Sequence, residues 1–500
     1  MSTPQLEEKI SKGLQHHAKD IGKGLEHVSS EVVKTGMMVA DSINNAQNGD
    51  LPKAGFETGK AIGSGVIGVT RASFETGFAF GKTAVAALTF PYRRRRSILD
   101  YFWKSRRGII TGAADNDPAG VVTYIQTGAA GGYQLLWLVP LAWPLLVAVE
   151  EMSARIGLVT RKGINRIIIE NFGTLLAWFV TAIIIICNVI TIGADIAAMA
   201  DVSKIFIGLP TIVFTLFFGA LFVFIMYKNS FASMSRFLFV ITPIFFLYII
   251  SAYFLNVDWN LALIETFLPT FSAMGGNLPL LALGFMGTTI TPFLIFWETT
   301  QEIEHKQATP ELLKKERRGV IIGMFFTQFI TFFIVVAAAA AFMGHNHLLT
   351  TARDAALALK PFGFWAFLLF SLGIIGSGLI AIPVLSSTTA YTFSETMNWS
   401  RGLNKSFNHA KGFYWVIFLS IIIGILISIS GYNPTLMLFY SQVLNGILMP
   451  ILLVVLLVIS NSKKIMGQYS NRFWSNFLGI LAIIINIIFI VLLFMGKVKL

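Results

Sequence analysis

From about residue 108 onward, apolar residues recur in stretches of roughly 20 separated by short polar links, and a helix of that length crosses about 30 Å of hydrocarbon. Lipid offers no partner for backbone N–H and C=O groups, so runs this long and continuous must close their hydrogen bonds internally, as helices do. The pattern predicts about eleven spans, with approximate limits 108–130, 134–153, 173–199, 205–227, 233–255, 278–300, 319–343, 363–391, 412–431, 434–460 and 473–495. Residues 1–95 differ. They hold Lys, Glu, Ser and Gly with no long apolar run, so the chain is read as a cytosolic N-terminal extension, 1–95, followed by a membrane domain, 96–500. Within the extension Ile10, Leu14, Ala18, Ile21, Leu25, Val28 and Val32 recur at steps of three and four, which predicts one amphipathic helix. That stripe would lie on an anionic membrane surface, bind a partner protein, or pack on itself as a hairpin. A Phe-Glu-Thr-Gly repeat, at Phe56–Gly59 and Phe74–Gly77, carries no chemistry that the residues define.

Composition narrows the class. Of 500 residues 55% are hydrophobic and only 13% charged, which excludes a soluble globular protein and makes this an all-α polytopic membrane protein with the lipid bilayer as its solvent. The net charge of +12 does not indicate a nucleic-acid partner, because the basic residues gather in alternate links. Lys104, Arg106 and Arg107 precede the first span; Arg155, Arg161, Lys162 and Arg166 follow the second; Lys306, Lys314, Lys315, Arg317 and Arg318 follow the sixth. The positive-inside rule then places the N-terminus in the cytosol and the C-terminus outside. A single cysteine, Cys187, excludes an intrachain disulfide and a thiolate metal site, so any metal chemistry must use oxygen ligands. No Walker A pattern, His-Glu metal motif or nucleophile–base pair is present, which argues against an ATP-driven pump or an intramembrane enzyme and implies no cofactor.

Two spans are interrupted. The first contains Asp115-Asn116-Asp117-Pro118-Ala119-Gly120 and the sixth contains Gly287-Thr288-Thr289-Ile290-Thr291-Pro292. Pro118 and Pro292 remove backbone donors and Gly120 and Gly287 tolerate irregular dihedrals, so both sites are expected to be unwound, with freed carbonyls that a cation could satisfy. The two breaks open two successive sets of five spans, the arrangement expected of inverted repeats around a midplane site. An ionised Asp at mid-membrane costs about 2.5–3.5 kcal/mol on insertion scales, which marks Asp117 as the charged ligand of an ion path. Asp115 is read as a vestibule or capping residue. Glu150 and Glu151, at the end of the second span, are expected to be solvated at the interface or paired with Arg155.

At these residues the chain resembles the natural resistance-associated macrophage protein (NRAMP) family of divalent-metal transporters. The family's first-helix Asp-Pro-Gly-Asn aligns with Asp117-Pro118-Ala119-Gly120, followed by Thr123, Gln126, Gly128, Gly132-Tyr133 and Leu135-Leu136-Trp137. Further matches are Ala154-Arg155-Ile156-Gly157-Leu158-Val159-Thr160, Ala194-Asp195-Ile196-Ala197 and Ser441-Gln442-Val443. The resemblance covers about residues 100 to 470. It implies a LeuT-like fold, two inverted repeats of five helices plus an eleventh, working by alternating access in a bacterial inner membrane. It also implies an ion surrounded by Asp117, the carbonyls of Ala114 and Thr288, the hydroxyl or carbonyl of Thr291, and the amide of Gln442.

The departures bear on the substrate. The family's Asn ligand is Gly120 here, and its sixth-helix Met-Pro-His reads Thr291-Pro292-Phe293. A thioether favours soft transition metals, whereas hydroxyl, carbonyl and carboxylate oxygens suit Mg²⁺ and Mn²⁺. The loss of the Asn and Met side chains is also expected to leave room for an ion that keeps several waters, as Mg²⁺ does. In both respects the chain is similar to the NRAMP-related magnesium transporters.

Proton coupling is the second departure. None of the seven histidines falls inside a predicted span, the family's acidic residue three positions after Asp195 is Ala198, and Glu298 stands where a second sixth-span histidine occurs. Asp195 and Glu298 could still pass protons or an ion, or Asp195 could pair with a basic residue. The reading favoured is a secondary transporter of Mg²⁺ and/or Mn²⁺ without strict proton coupling. The alternatives are a proton-coupled Mn²⁺/Fe²⁺ importer and a non-transporting membrane receptor or scaffold.

Overall fold

The computed structural model describes residues 106–495 except 229–230, 254, 269–277, 304–308, 343–363 and 431–433. The N-terminal extension, its amphipathic stripe and the repeated tetrapeptide lie outside the described residues, as do all histidines but His409.

Among the described residues the regular structure is helical throughout. The helices in chain order are α1 Arg106–Asp115, α2 Pro118–Gly131, α3 Leu138–Thr160, α4 Ile164–Phe172, α5 Thr174–Ile207 and α6 Thr211–Lys228. They continue with α7 Phe231–Ile241, α8 Phe246–Tyr253, α9 Trp259–Phe267, α10 Leu278–Thr289, α11 Pro292–Ile303 and α12 Pro310–Phe342. The last five are α13 Phe364–Thr396, α14 Lys411–Ile429, α15 Pro434–Asn461, α16 Lys463–Met466 and α17 Phe473–Met495. The described part of each expected span is largely helical, apart from the two breaks. Among the described residues seven stretches are long and apolar enough to cross a membrane by length and composition, Leu278–Gln301 among them. The other expected spans are the divided α1–α2 pair, α3, α6, and α7–α8, which a 3-10 turn at Thr242–Phe245 joins.

Local sequence explains the boundaries. The long α5 stops at Gly208, whose φ of 75° is open to glycine and whose N–H closes on the Lys204 carbonyl at 2.8 Å. The α3 helix ends the same way at Arg161, whose N–H bonds the Gly157 carbonyl at 3.0 Å. Two short helices occupy links that the apolar pattern leaves as polar connectors. In α4 the residues Ile164, Ile167 and Ile168 are buried at helical spacing, and in α9 Asp258 caps the helix by accepting from the Leu261 amide at 3.0 Å.

The core is built around the two divided helices. The α12 helix packs along α1 and α2, α10 packs on α15 and α2, and α5 is flanked by α13 and α14. Backbone proximity sets the α1–α12 contact: a β-carbon on Gly108 would strike the Gly319 carbonyl, and one on Gly112 the Gly323 carbonyl. Glycines four residues apart on both helices let the backbones touch, the contact that helix pairs use in lipid, where apolar side chains gain little by pairing. By contrast α17 buries little beyond Gly479, Ala482, Asn486 and Phe489 and turns Trp474, Phe477, Ile484 and Ile488 outward, an apolar surface suited to lipid.

Candidate metal-ion site

The first break spans Asn116 and Asp117, between α1 and α2. Pro118 is the first residue of α2, where its missing N–H is no loss, and Asp117 is the N-cap, with Oδ1 accepting from the Gly120 amide. The second break falls at Ile290 and Thr291, and Pro292 opens α11. The two glycines expected to unwind the chain are helical instead. Gly120 lies in the first turn of α2 and Gly287 within α10, where a β-carbon would collide with the Gln442 carbonyl on α15. Prolines and a cap break these helices; the glycines permit close packing beside the breaks.

Both prolines free a carbonyl by the same geometry. In a continuous helix Ala114 and Thr288 would accept from the N–H four residues on, and those residues are Pro118 and Pro292. The Asp115 carbonyl would accept from the Ala119 amide, but that amide donates to Asp195 Oδ1 on α5 at 3.1 Å. Asp195 therefore reaches the N-terminus of α2, where helix dipoles favour an anion, and not a basic side chain.

Both breaks leave oxygen atoms without partners. Asp117 Oδ2, Thr288 Oγ1 and Thr291 Oγ1 are buried and accept or donate no hydrogen bond. Asp117, Thr288 and Thr291 are at most 1% exposed. The Thr288 hydroxyl, Asp117 Oδ1 and the Asp115 carbonyl converge on Gly120: a β-carbon there would lie 2.7, 3.0 and 3.1 Å from them. The space expected from the absence of an asparagine at this position is thus filled by the Thr288 hydroxyl. Among the described residues no three His, Cys, Asp or Glu side chains come together to hold a metal ion. A cation here would need one carboxylate, carbonyls, hydroxyls and its own water, a hard-oxygen donor set.

Gln442 is placed differently. Its Oε1 accepts from Asn445 Nδ2 at 2.9 Å and its Nε2 donates to Ser441 Oγ at 3.4 Å, so the amide is engaged within α15 while its backbone packs on α10. Polar ties fix the two breaks. Thr327 Oγ1 on α12 donates to Asp115 Oδ2 at 2.9 Å and accepts from Asn116 Nδ2 at 2.8 Å, and the Tyr124 hydroxyl on α2 bonds that of Thr289 on α10 at 3.1 Å.

Glu298 on α11 is buried, and its Oε2 accepts from Thr111 Oγ1 on α1 at 2.6 Å and from Gln301 Nε2 at 2.9 Å. Glu151 pairs with Arg155 at 3.3 Å, as the sequence leads one to expect. Glu150 does not. It is fully buried, neither oxygen has a hydrogen bond, and its electrostatic neighbours are Glu298 and Asp115. The sequence signal was the helical face: Leu146, Val147, Ser153 and Ala154 surround Glu150 at steps of three and four, with no basic residue among them. His409, the one histidine among the described residues, lies in the link between α13 and α14 and shares a 2.8 Å hydrogen bond with Ser406.

Residues 108–496 match the family described as Natural resistance-associated macrophage protein-like. A curated relative, the divalent metal cation transporter MntH of Erwinia tasmaniensis, is 28% identical over 399 residues, covering 74% of this chain and 88% of its own. MntH of Bacillus subtilis is 25% identical over 393 residues, covering 75% and 88%. Among solved structures, a manganese transporter of Eremococcus coleocola superposes with a TM-score of 0.63 at 16% identity, over 78% of this chain and 85% of that one. MhsT, solved with L-phenylalanine, gives a TM-score of 0.52 at 14% identity over 77% and 97%.

Proposed function

Since the chain belongs to the Nramp family and has its LeuT-like fold, a transporter and not an enzyme, we propose that it moves Mg²⁺ and Mn²⁺ across a bacterial inner membrane by alternating access, without strict proton coupling. The observation that carries this reading is the set of unpartnered buried oxygens at the two breaks, Asp117 Oδ2, Thr288 Oγ1 and Thr291 Oγ1. Buried polar atoms without partners are costly, at roughly 1–3 kcal/mol each, and a cation with part of its water shell offsets that cost. Asp117 supplies the charge. The carbonyls of Ala114 and Thr288 supply dipoles that no helical N–H competes for, and the relatives' shared name, divalent metal cation transporter, agrees with this cargo.

The selectivity follows from ligand chemistry. Thr291 offers a hydroxyl where a thioether would favour soft metals, so a hard ion that keeps water is accepted. Gln442 joins the ion's surroundings when its bond to Asn445 opens. Asp195 holds the α2 N-terminus beside Asp117, and its bond to the Ala119 amide gives it a positioning role in place of a proton relay. In this reading the N-terminus faces the cytosol, where residues 1–95 would bind the membrane surface or another protein.

The test is uptake into proteoliposomes with a Mg²⁺-sensitive dye inside. Wild-type protein gives saturable Mg²⁺ uptake, and Asp117→Ala lowers it by about 100-fold, the equivalent of roughly 2.7 kcal/mol. Equal rates for the two proteins would remove Asp117 from the site.

A further inference from the structure

Three carboxylates beyond Asp117 are buried in one electrostatic neighbourhood. Glu150 comes from α3, Glu298 from α11 and Asp115 from the end of α1. Two of them are anchored by one oxygen each: Asp115 Oδ2 by Thr327 and Glu298 Oε2 by Thr111 and Gln301. Glu150 has both oxygens unpartnered at 0% exposure, and Asp115 Oδ1 is unpartnered as well. The packing of α11 on α3 brings Glu298 toward Glu150: Thr299 Oγ1, next to Glu298, donates to the Ser153 carbonyl, one turn along from Glu150, at 3.2 Å. Like charges in a low-dielectric interior repel strongly, and a hydrogen-bond donor or cation must offset them for the arrangement to persist. Interfacial solvation fails to explain Glu150, because its side chain is buried in the protein and not at the surface.

We propose that Glu150, Glu298 and Asp115 form a second site, for a hydrated divalent cation, that hands the ion between the Asp117 centre and the aqueous face at the α1 N-terminal end. This rests on the transport reading above for its place in a pathway, though the binding itself does not. The carboxylates are not close enough as a group to hold a bare metal. The ion therefore keeps its inner water shell, and the free oxygens of Glu150 and Asp115 accept hydrogen bonds from those waters, a mode that suits the slowly dehydrating Mg²⁺. Thr111, Thr327 and Gln301 hold the other two carboxylates in place, as outer partners orient ligands elsewhere. Asp115 links the two sites, since its carboxylate leaves Oδ1 without a partner while its backbone carbonyl lies with Asp117 Oδ1 at Gly120.

The experiment is Mn²⁺ binding to the purified full chain, read by electron paramagnetic resonance. Asp117→Ala removes the central ligand and leaves one bound Mn²⁺, which Mg²⁺ displaces; adding Glu150→Gln weakens the remaining site about tenfold or more. Glu298→Gln in the same background is the second variant, and it gives the same weakening should the Glu150 variant fail to fold. Indistinguishable Mn²⁺ binding with and without Glu150→Gln, in chains of matching thermal midpoint, overturns the proposal. In proteoliposomes Glu150→Gln alone slows Mn²⁺ uptake about tenfold. Wild-type rates in that variant overturn the handover role and leave the Asp117 transport reading intact. A wild-type chain that transports nothing while Asp117→Ala still binds Mn²⁺ through Glu150 would overturn the transport reading and support the second site.

Discussion

The hydroxyl of Thr288 occupies the place that a side chain at Gly120 would need, since a β-carbon on Gly120 would lie 2.7 Å from it. The first-break glycine and the sixth-span threonine are thus a size-matched pair across the two divided helices. Gly120→Asn must push Thr288 aside, and overpacking of this kind costs about 1–3 kcal/mol. We expect Mg²⁺ uptake to fall about tenfold in Gly120→Asn, with partial recovery when Thr288→Ala is added. Initial rates in proteoliposomes check both, and an unaffected single variant would mean that the pair does not shape the site.

The proposed preference for hard ions rests on Thr291. Thr291→Met introduces a thioether, which ligates softer metals well and Mg²⁺ poorly. The expected outcome is a Mg²⁺ uptake rate reduced by about tenfold with Cd²⁺ uptake raised, measured side by side with a metal-quenched dye. If neither rate changes, Thr291 does not face the ion.

Asp195 anchors α2. Its Oδ1 accepts from the buried Ala119 amide, and leaving such a donor unsatisfied costs roughly 1–3 kcal/mol. Asp195→Asn keeps an accepting oxygen and should retain most of the uptake, whereas Asp195→Ala should lose about tenfold and lower the thermal midpoint. A proton relay would instead make the two variants equally inactive.

The α1–α12 contact depends on backbone approach. Gly112→Val places a branched side chain against the Gly323 carbonyl, so the chain must separate α1 from α12, whose Thr327 holds Asp115 and Asn116 at the first break. We expect destabilisation of about 1–3 kcal/mol, seen as a lower midpoint in thermal unfolding monitored in detergent. An unchanged midpoint would show that the helices separate freely.

The helical spans were legible in the sequence because lipid demands long apolar runs, and the two breaks were legible because Pro118 and Pro292 cannot continue a hydrogen-bond ladder. The glycines were harder. Gly120 and Gly287 read as sites of backbone freedom, but the freedom they use is the absence of a β-carbon, which depends on Thr288 and on Gln442 of α15. Glu150 was assigned to the interface with Glu151 because the two are adjacent, yet a helix turns neighbours by about 100°, so Glu151 meets Arg155 while Glu150 turns into the buried interior with neither oxygen hydrogen-bonded. The short α4 and α9 helices were missed because their apolar faces are too brief to stand out between spans.

Under the proposed function a hard, hydrated divalent ion moves through the oxygen site at Asp117 without a proton. Mn²⁺ uptake into proteoliposomes, read by an internal metal-quenched dye with excess external Mg²⁺ and with luminal pH followed alongside, tests it most directly. Mg²⁺ should suppress Mn²⁺ entry, and the lumen should not acidify. Mn²⁺ entry that ignores Mg²⁺ and acidifies the lumen would contradict it and establish a proton-coupled Mn²⁺ importer.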